Sequence, residues 1–81
     1  MTARVFVSLK STVLDPQGQT IRSALHGLGY PAIQDVRQGK YFDIAIAAGV
    51  SAEQARHDIE TIAHEVLANP VIEEYRVEFL D

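Results

Sequence analysis

Arg4-Val5-Phe6-Val7-Ser8-Leu9-Lys10, followed three residues later by Leu14-Asp15-Pro16-Gln17-Gly18, is the stretch on which the fold of this chain turns. The first run alternates with period two, so Val5, Val7 and Leu9 share one face and Phe6 points the other way, which is a strand signal. In the second run, Asp15 can accept hydrogen bonds from the first free amides of a helix. Pro16 suits the first helical position because its missing N–H costs nothing there. Ile21, Leu25 and Leu28 then recur at helical spacing with Ala24 beside them, and Gly29 is placed to cap the C-terminus. A strand thus leads directly into a helix.

Working outward, Ala32–Arg37 and Tyr41–Ala47 are the next extended segments, with Gln38-Gly39 between them as a hairpin turn. Phe42, Ile44 and Ile46 form the inward row of the second segment. Ser51 is an N-cap candidate, and Gln54 three residues on completes a capping box. Ala52, Ala55, Ile59, Ile62, Ala63, Val66 and Leu67 make one broad apolar stripe, ended by Asn69-Pro70. Ile72–Leu80 is the last strand, with Tyr75, Val77 and Phe79 on one face and Arg76 and Glu78 on the other. The order β-α-β-β-α-β predicts an α+β fold, a two-layer ferredoxin-like sandwich with an antiparallel sheet and both helices on one face. Phe6, Tyr41 and Ala45 then lie on the face that no helix covers, an apolar excess suited to self-association.

The chain has 81 residues, which fits a single domain over residues 1–81. Cysteine is absent, which excludes disulfides, thiolate nucleophiles and cysteine-based zinc sites and suits a reducing cytoplasmic setting. Met1–Lys10 carries charges every few residues and no apolar run of signal-peptide length, and no apolar stretch approaches a membrane span. Seven cations against eleven acidic residues give a net charge of −4, which argues against non-specific nucleic-acid binding.

The residues offer little chemistry. His57 and His64 share a side of the second helix with Glu53 and Glu60, but the two histidines stand two turns apart, about 10.5 Å along the axis. Two imidazoles on one zinc must each approach to about 2.0–2.1 Å, so this is a solvated helix face and no metal site is expected. His26, near the end of the first helix, suits the helix dipole. The serines lack a nucleophile-elbow pattern, Gly27-Leu28-Gly29 follows a helix rather than a strand, and no lysine follows a phosphate-binding loop. No catalytic residue is assigned. Two features remain. Gly18 in the first turn weakens the helix by about 1 kcal/mol against alanine. Its presence fits either close approach of another backbone or a docking surface that needs no side chain. Val36-Arg37-Gln38-Gly39-Lys40 places two of the seven cations at one turn, either to keep a hairpin tip soluble or to meet a partner.

Val13-Leu14-Asp15-Pro16-Gln17-Gly18, then Ala24-Leu25 and Leu28-Gly29-Tyr30, then Val36-Arg37 with Gly39-Lys40, and Asn69-Pro70-Val71-Ile72-Glu73-Glu74-Tyr75 together resemble the PurS family. The motifs occur in order along essentially the whole chain. Ser11-Thr12 departs from the Pro-Gly that often precedes the first of them. The resemblance implies a small subunit of phosphoribosylformylglycinamidine synthase in purine biosynthesis, with no catalytic centre of its own. It would bridge a PurL-type ATP-dependent synthetase and a PurQ-type glutaminase, assist ammonia transfer, and form dimers or higher even-numbered oligomers. The complex, an ATP- and glutamine-dependent C–N ligase, would use ATP and magnesium, and this chain no cofactor. Arg37, Gly39 and Lys40, with the Asp15, Pro16, Gln17, Gly18 turn, are the expected partner contacts, and Phe6, Tyr41 and Ala45 the expected self-association face.

A sensing module of the ACT kind has the same strand–helix order and is the alternative from another class. Such modules are usually attached to an enzyme domain, and none accompanies this sequence. An acylphosphatase-like enzyme would need an arginine in the loop after the first strand, where Lys10-Ser11-Thr12-Val13 has none. An RNA-binding module fails on net charge and on missing sheet aromatics.

Overall fold

The alternating run becomes the centre of the sheet. The computed structural model describes residues 1–80, so Asp81 of the expected 1–81 domain lies outside the described residues. Strand β1 (Thr2–Leu9) is flanked on both sides by antiparallel strands, β2 (Gly39–Ala45) and β3 (Glu73–Leu80), in the order β2-β1-β3. Registers Val5↔Phe42 and Val5↔Val77 bring the three predicted inward rows onto one face. Central position and period two together bury Ala3, Val5 and Val7 to within 1% of complete.

One helix covers that face. Helix α2 (Ala52–Ile62) starts at Ser51, whose side chain accepts from the Gln54 amide at 3.1 Å. The Gln54 side chain donates forward to Asp58 rather than accepting from the Ser51 amide, so half of the expected capping box forms. Ile59 and Ala63 join Ala3, Val5 and Val7 in the core, with Phe42, Ile44, Ile46, Leu67, Tyr75, Val77 and Phe79 around them, and Ala55 is buried as well. From Ala63 to Leu67 the helix widens into a π-helical turn, closed by the Ala68 amide donating to the Ala63 carbonyl at 3.0 Å. The extra residue in that turn rotates the stripe, so Val66, predicted to face the core, stands 73% exposed while Ala68 is buried.

The other helix departs from expectation. Helix α1 (Pro16–Gly27) has the predicted ends: Asp15 caps its start, and Gly29 at φ 98° closes it, with the Tyr30 amide donating to the Leu25 carbonyl and the Gly29 amide to His26. Yet α1 does not lie on the sheet, and among its described residues only Gly18 is buried. Ala32–Arg37, predicted as a strand, joins no sheet, so the expected hairpin at Gln38-Gly39 is absent and Gly39 begins β2. The physical reason is that Ala32–Gln34 is engaged elsewhere. Arg22 Nε donates to the Gln34 carbonyl at 2.8 Å and His26 Nε2 contacts the Ile33 carbonyl at 2.6 Å, tying this segment along α1 as a return limb.

The molecule is consequently long. Its extents are 52 × 27 × 14 Å and its radius of gyration is 16.4 Å, where a compact domain of this length has about 12 Å. Eight strand residues span about 27 Å and twelve helical residues about 18 Å, so a sheet and a helix placed end to end account for most of the long axis. The α+β ferredoxin-like layout, the antiparallel sheet and the one-sided cover stand as read. The fourth strand does not form, and α1 forms without lying on the sheet.

Candidate functional site

The two motifs that ordinary packing left unexplained meet each other. Asp15 is 4% exposed, and its carboxylate accepts from two backbone amides: Gly18 within its own motif at 2.9 Å, and Gln38 in the other at 2.7 Å. These two donors, led by Gln38, hold its pKa below the ordinary carboxylate value. Arg37 reaches back in the opposite direction. Its Nη2 donates to the carbonyls of Lys10 at 3.0 Å and Val13 at 2.8 Å, satisfying the turn that leads out of β1. The Gln38 side-chain amide also donates to Gln17. The result is a polar clasp joining residues 10–18 to residues 36–38, at the point where α1 leaves the sheet.

Gly18 explains itself at this clasp. A Cβ there would sit 2.1 Å from the Val36 carbonyl oxygen, so no other residue lets the two chain segments approach. Close backbone approach, one of the two readings of the glycine, is therefore what the structure contains. Gly39 is needed for a related reason, since a Cβ would meet the Val7 carbonyl at 2.9 Å across the β1–β2 pair. Its φ is not positive, unlike the hairpin turn expected there. Pro16 and Gln17 occupy the first turn of α1, and with Thr20, Ile21 and Gln38 they line a shallow groove on the outer side of the clasp.

The seven expected partner-contact residues thus come together, with different jobs. Asp15, Gly18 and Arg37 spend their polar groups inside the clasp. Lys40 stays exposed, its Nζ 5.7 Å from the Phe42 ring centre. It borders a cleft of about 270 Å³ lined by Ser8, Asp15, Gln17, Gln38 and Glu73. Sequence reasoning missed Gln38 and the carbonyls of Lys10, Val13 and Val36; backbone acceptors leave no mark in a sequence.

The uncovered face of the sheet carries Phe6 opposite Tyr41, and Thr2 opposite Ala45. Their apolar surface is roofed by cations: Arg4 lies 4.7 Å from the Tyr41 ring centre and Arg76 lies 4.2 Å from that of Phe6. Arg4 is bound to Asp43 at 2.7 Å, which lowers the Asp43 pKa, and Arg76 is paired with Glu78. An open groove of about 500 Å³ runs past Phe6, Tyr41, Glu74 and Arg76. The face is an amphipathic lattice rather than a bare apolar patch.

His57 is exposed on α2, and His64 contacts Glu65 at 3.4 Å and the edge of Tyr75. Among the described residues, no three His, Asp or Glu are grouped to hold a metal ion. No helix among them is long and apolar enough to cross a membrane.

The arrangement recurs in known proteins. The PurS family model, described as phosphoribosylformylglycinamidine (FGAM) synthase, matches residues 2–81. The chain belongs to the PurS family. The phosphoribosylformylglycinamidine synthase subunit PurS of Bacillus subtilis is 44% identical over 79 residues, covering 93% of this chain and 87% of that one. The Mycobacterium leprae subunit of the same description is 44% identical over 75 residues, covering 93% and 90%. Among solved structures, B. subtilis PurS superposes with a TM-score of 0.83 at 43% identity over 95% of this chain and 94% of that one. A chain in the structure of PurLQS from Thermotoga maritima superposes with a TM-score of 0.87 at 32% identity, covering 98% and 95%. As a PurS-family protein, the chain is a subunit of FGAM synthase, in the purine biosynthetic pathway. Both solved chains thus share this chain's fold over nearly its whole length.

Proposed function

We propose that this chain is the non-catalytic bridge of the synthase, holding a PurL-type ATP-dependent synthetase and a PurQ-type glutaminase together and helping keep the ammonia path closed to solvent. The observation that carries this reading is the near-complete superposition on a chain of the T. maritima PurLQS structure. The complex would consume ATP with magnesium and draw ammonia from glutamine, and it would work in the cytoplasm. Lys40 and the cleft beside the clasp, with Pro16 and Gln17 on its outer side, are the partner contacts this reading assigns. Arg37, Asp15, Gly18 and Gly39 act on those contacts by fixing the clasp. The Phe6–Tyr41–Ala45 face is a second contact surface, suited to self-association or to a larger subunit.

The test is to assay the two catalytic partners together with and without this chain, supplying nitrogen either as glutamine or as free ammonium. The chain is expected to be required for glutamine-dependent turnover, to be dispensable with ammonium, and to hydrolyse neither glutamine nor ATP alone. Full glutamine-dependent turnover by the two partners without it would overturn the bridging role.

A further inference from the structure

Two opposite charges share one cleft in this molecule without pairing. Lys40 and Glu73 both line the cleft of about 270 Å³ beside the clasp, together with Val7 and Leu9. The register explains the arrangement. Lys40 stands opposite Val7 and Glu73 opposite Leu9, so the two charges come from the strands on either side of β1, at the clasp end of the sheet. Among the described residues neither takes part in an ion pair. The Lys40 ammonium is exposed, with the Phe42 ring centre 5.7 Å away. Glu73 is half-buried and gives Oε1 to the Asn69 amide at 2.7 Å, which fixes the carboxylate and leaves Oε2 for another donor.

The rest of the lining adds two carboxamides. Gln38 Nε2 donates to Gln17 Oε1. Whichever way the two amides pair, one NH2 and one carbonyl are left over. The clasp holds both backbones in place: the Gln38 amide donates to one Asp15 oxygen, and the other oxygen caps the turn that contains Gln17. Groups fixed before a ligand arrives lose less freedom on binding it.

This set of groups rejects simpler ligands. A lone anion at Lys40 would face Glu73 and the Asp15 carboxylate, and a lone cation at Glu73 would face Lys40. The end of a polypeptide brings one charge where two are needed. A molecule with ammonium and carboxylate on one carbon answers both charges, and a neutral polar side chain answers the carboxamides. The volume lies just under the range of about 300–1,000 Å³ usual for drug-sized ligands, which suits a small one. We propose that this cleft binds a free α-amino acid with an uncharged polar side chain. Its carboxylate meets Lys40, its ammonium meets Glu73 Oε2, and its side chain meets the Gln17–Gln38 pair. The inference does not rest on the bridging reading. The groove past Pro16 and Thr20 stays available to a larger subunit.

The test is a titration of the isotope-labelled free chain with L-glutamine, followed by amide resonances. Ser8, Gln17, Gln38, Lys40 and Glu73 should shift together along one saturating curve. Lys40→Ala and Glu73→Gln should each weaken binding at least about tenfold, the usual loss of a hydrogen bond to a charged group. Glu73→Gln retains an oxygen for the Asn69 amide, and circular dichroism checks that both variants stay folded. His57→Ala, exposed on α2, should leave the affinity unchanged. Acetate and methylammonium, each carrying one of the two charges, should bind at least about tenfold more weakly than L-glutamine. No saturating shift up to the solubility limit of L-glutamine would overturn the proposal, and so would a curve unchanged in both cleft variants. Acetate binding as tightly as L-glutamine would reduce Lys40 to an ordinary surface cation and overturn it as well.

Discussion

Ile59 and Ile21 are the same residue type in the apolar stripes of two amphipathic helices, yet one is 2% exposed and the other 39%. The body of the molecule, β1–β3 with α2, buries its own apolar rows and is held by them. The arm, α1 with its return limb, is held at its base by backbone amides and carbonyls gripping Asp15 and Arg37, and along its length by Arg22 and His26. A hydrophobic core gives strength without direction, whereas hydrogen bonds to backbone give direction with little strength. The difference teaches that the chain packs one part around its own core and holds the other out from it.

The largest break in the comparison comes from the matched pair. Ile59→Ala should cost about 2–5 kcal/mol, the usual loss for a truncated core isoleucine. Ile21→Ala should cost less, about 1–2 kcal/mol in dilute monomer, since some two fifths of its surface stays in water there. Denaturant unfolding of both variants at low concentration measures the gap, and equal costs would mean that α1 is packed in the single chain.

Gly18→Ala sharpens it next. Alanine would gain about 1 kcal/mol in helix propensity, but its Cβ meets the Val36 carbonyl backbone, which has no side chain to move aside. A net destabilisation of about 1–3 kcal/mol is expected, as for other overpacked sites. Loss of the contacts from Gln38 to Asp15 should be visible as shifted amide resonances confined to residues 10–18 and 36–39. A stabilised variant would show that the clasp is loose.

Acid should open the clasp before it touches the body. The folded-state pKa of Asp15 is depressed, so its contribution is present above the ordinary carboxylate value and is lost as pH falls through the lower, folded value. The exposed Asp43, depressed by Arg4, adds a smaller effect with the same sign. Asp15→Asn keeps a cap acceptor without the charge, so its acid limb of stability should be shallower than that of the wild type. Superimposable acid limbs would remove Asp15 from the account. At the small end, His57→Ala should change stability by less than about 0.5 kcal/mol, as for an exposed site without a special contact.

How much of this was written in the residues follows the same division. Period two in β1, the Asp15-Pro16 and Ser51 starts and the Gly29 stop are local signals read by local physics, and each appears where it was expected. Val66 was misplaced because a π-helical turn breaks the period that located it. The apolar residues of Ala32–Arg37 suit a strand, but the segment joins no sheet. What it pairs with was decided by Arg22 and His26, twelve and seven residues away from their partners. At the site, the special residues Asp15, Gly18, Arg37 and Gly39 stood out by type. That they serve one another was hidden, because half of each bond is a backbone atom.

The division into a packed body and a projecting arm is tested most directly by amide hydrogen exchange across a dilution series of the free chain. A twelve-residue helix without tertiary cover is marginal in water. At the lowest concentration, the amides of α1 should therefore exchange far faster than those of Val5 and Val7 in β1. As concentration rises, or when the larger subunits are added, α1 should gain protection while β1 stays unchanged. Protection of α1 equal to that of β1 in the dilute monomer, with no dependence on concentration or partner, would contradict the account.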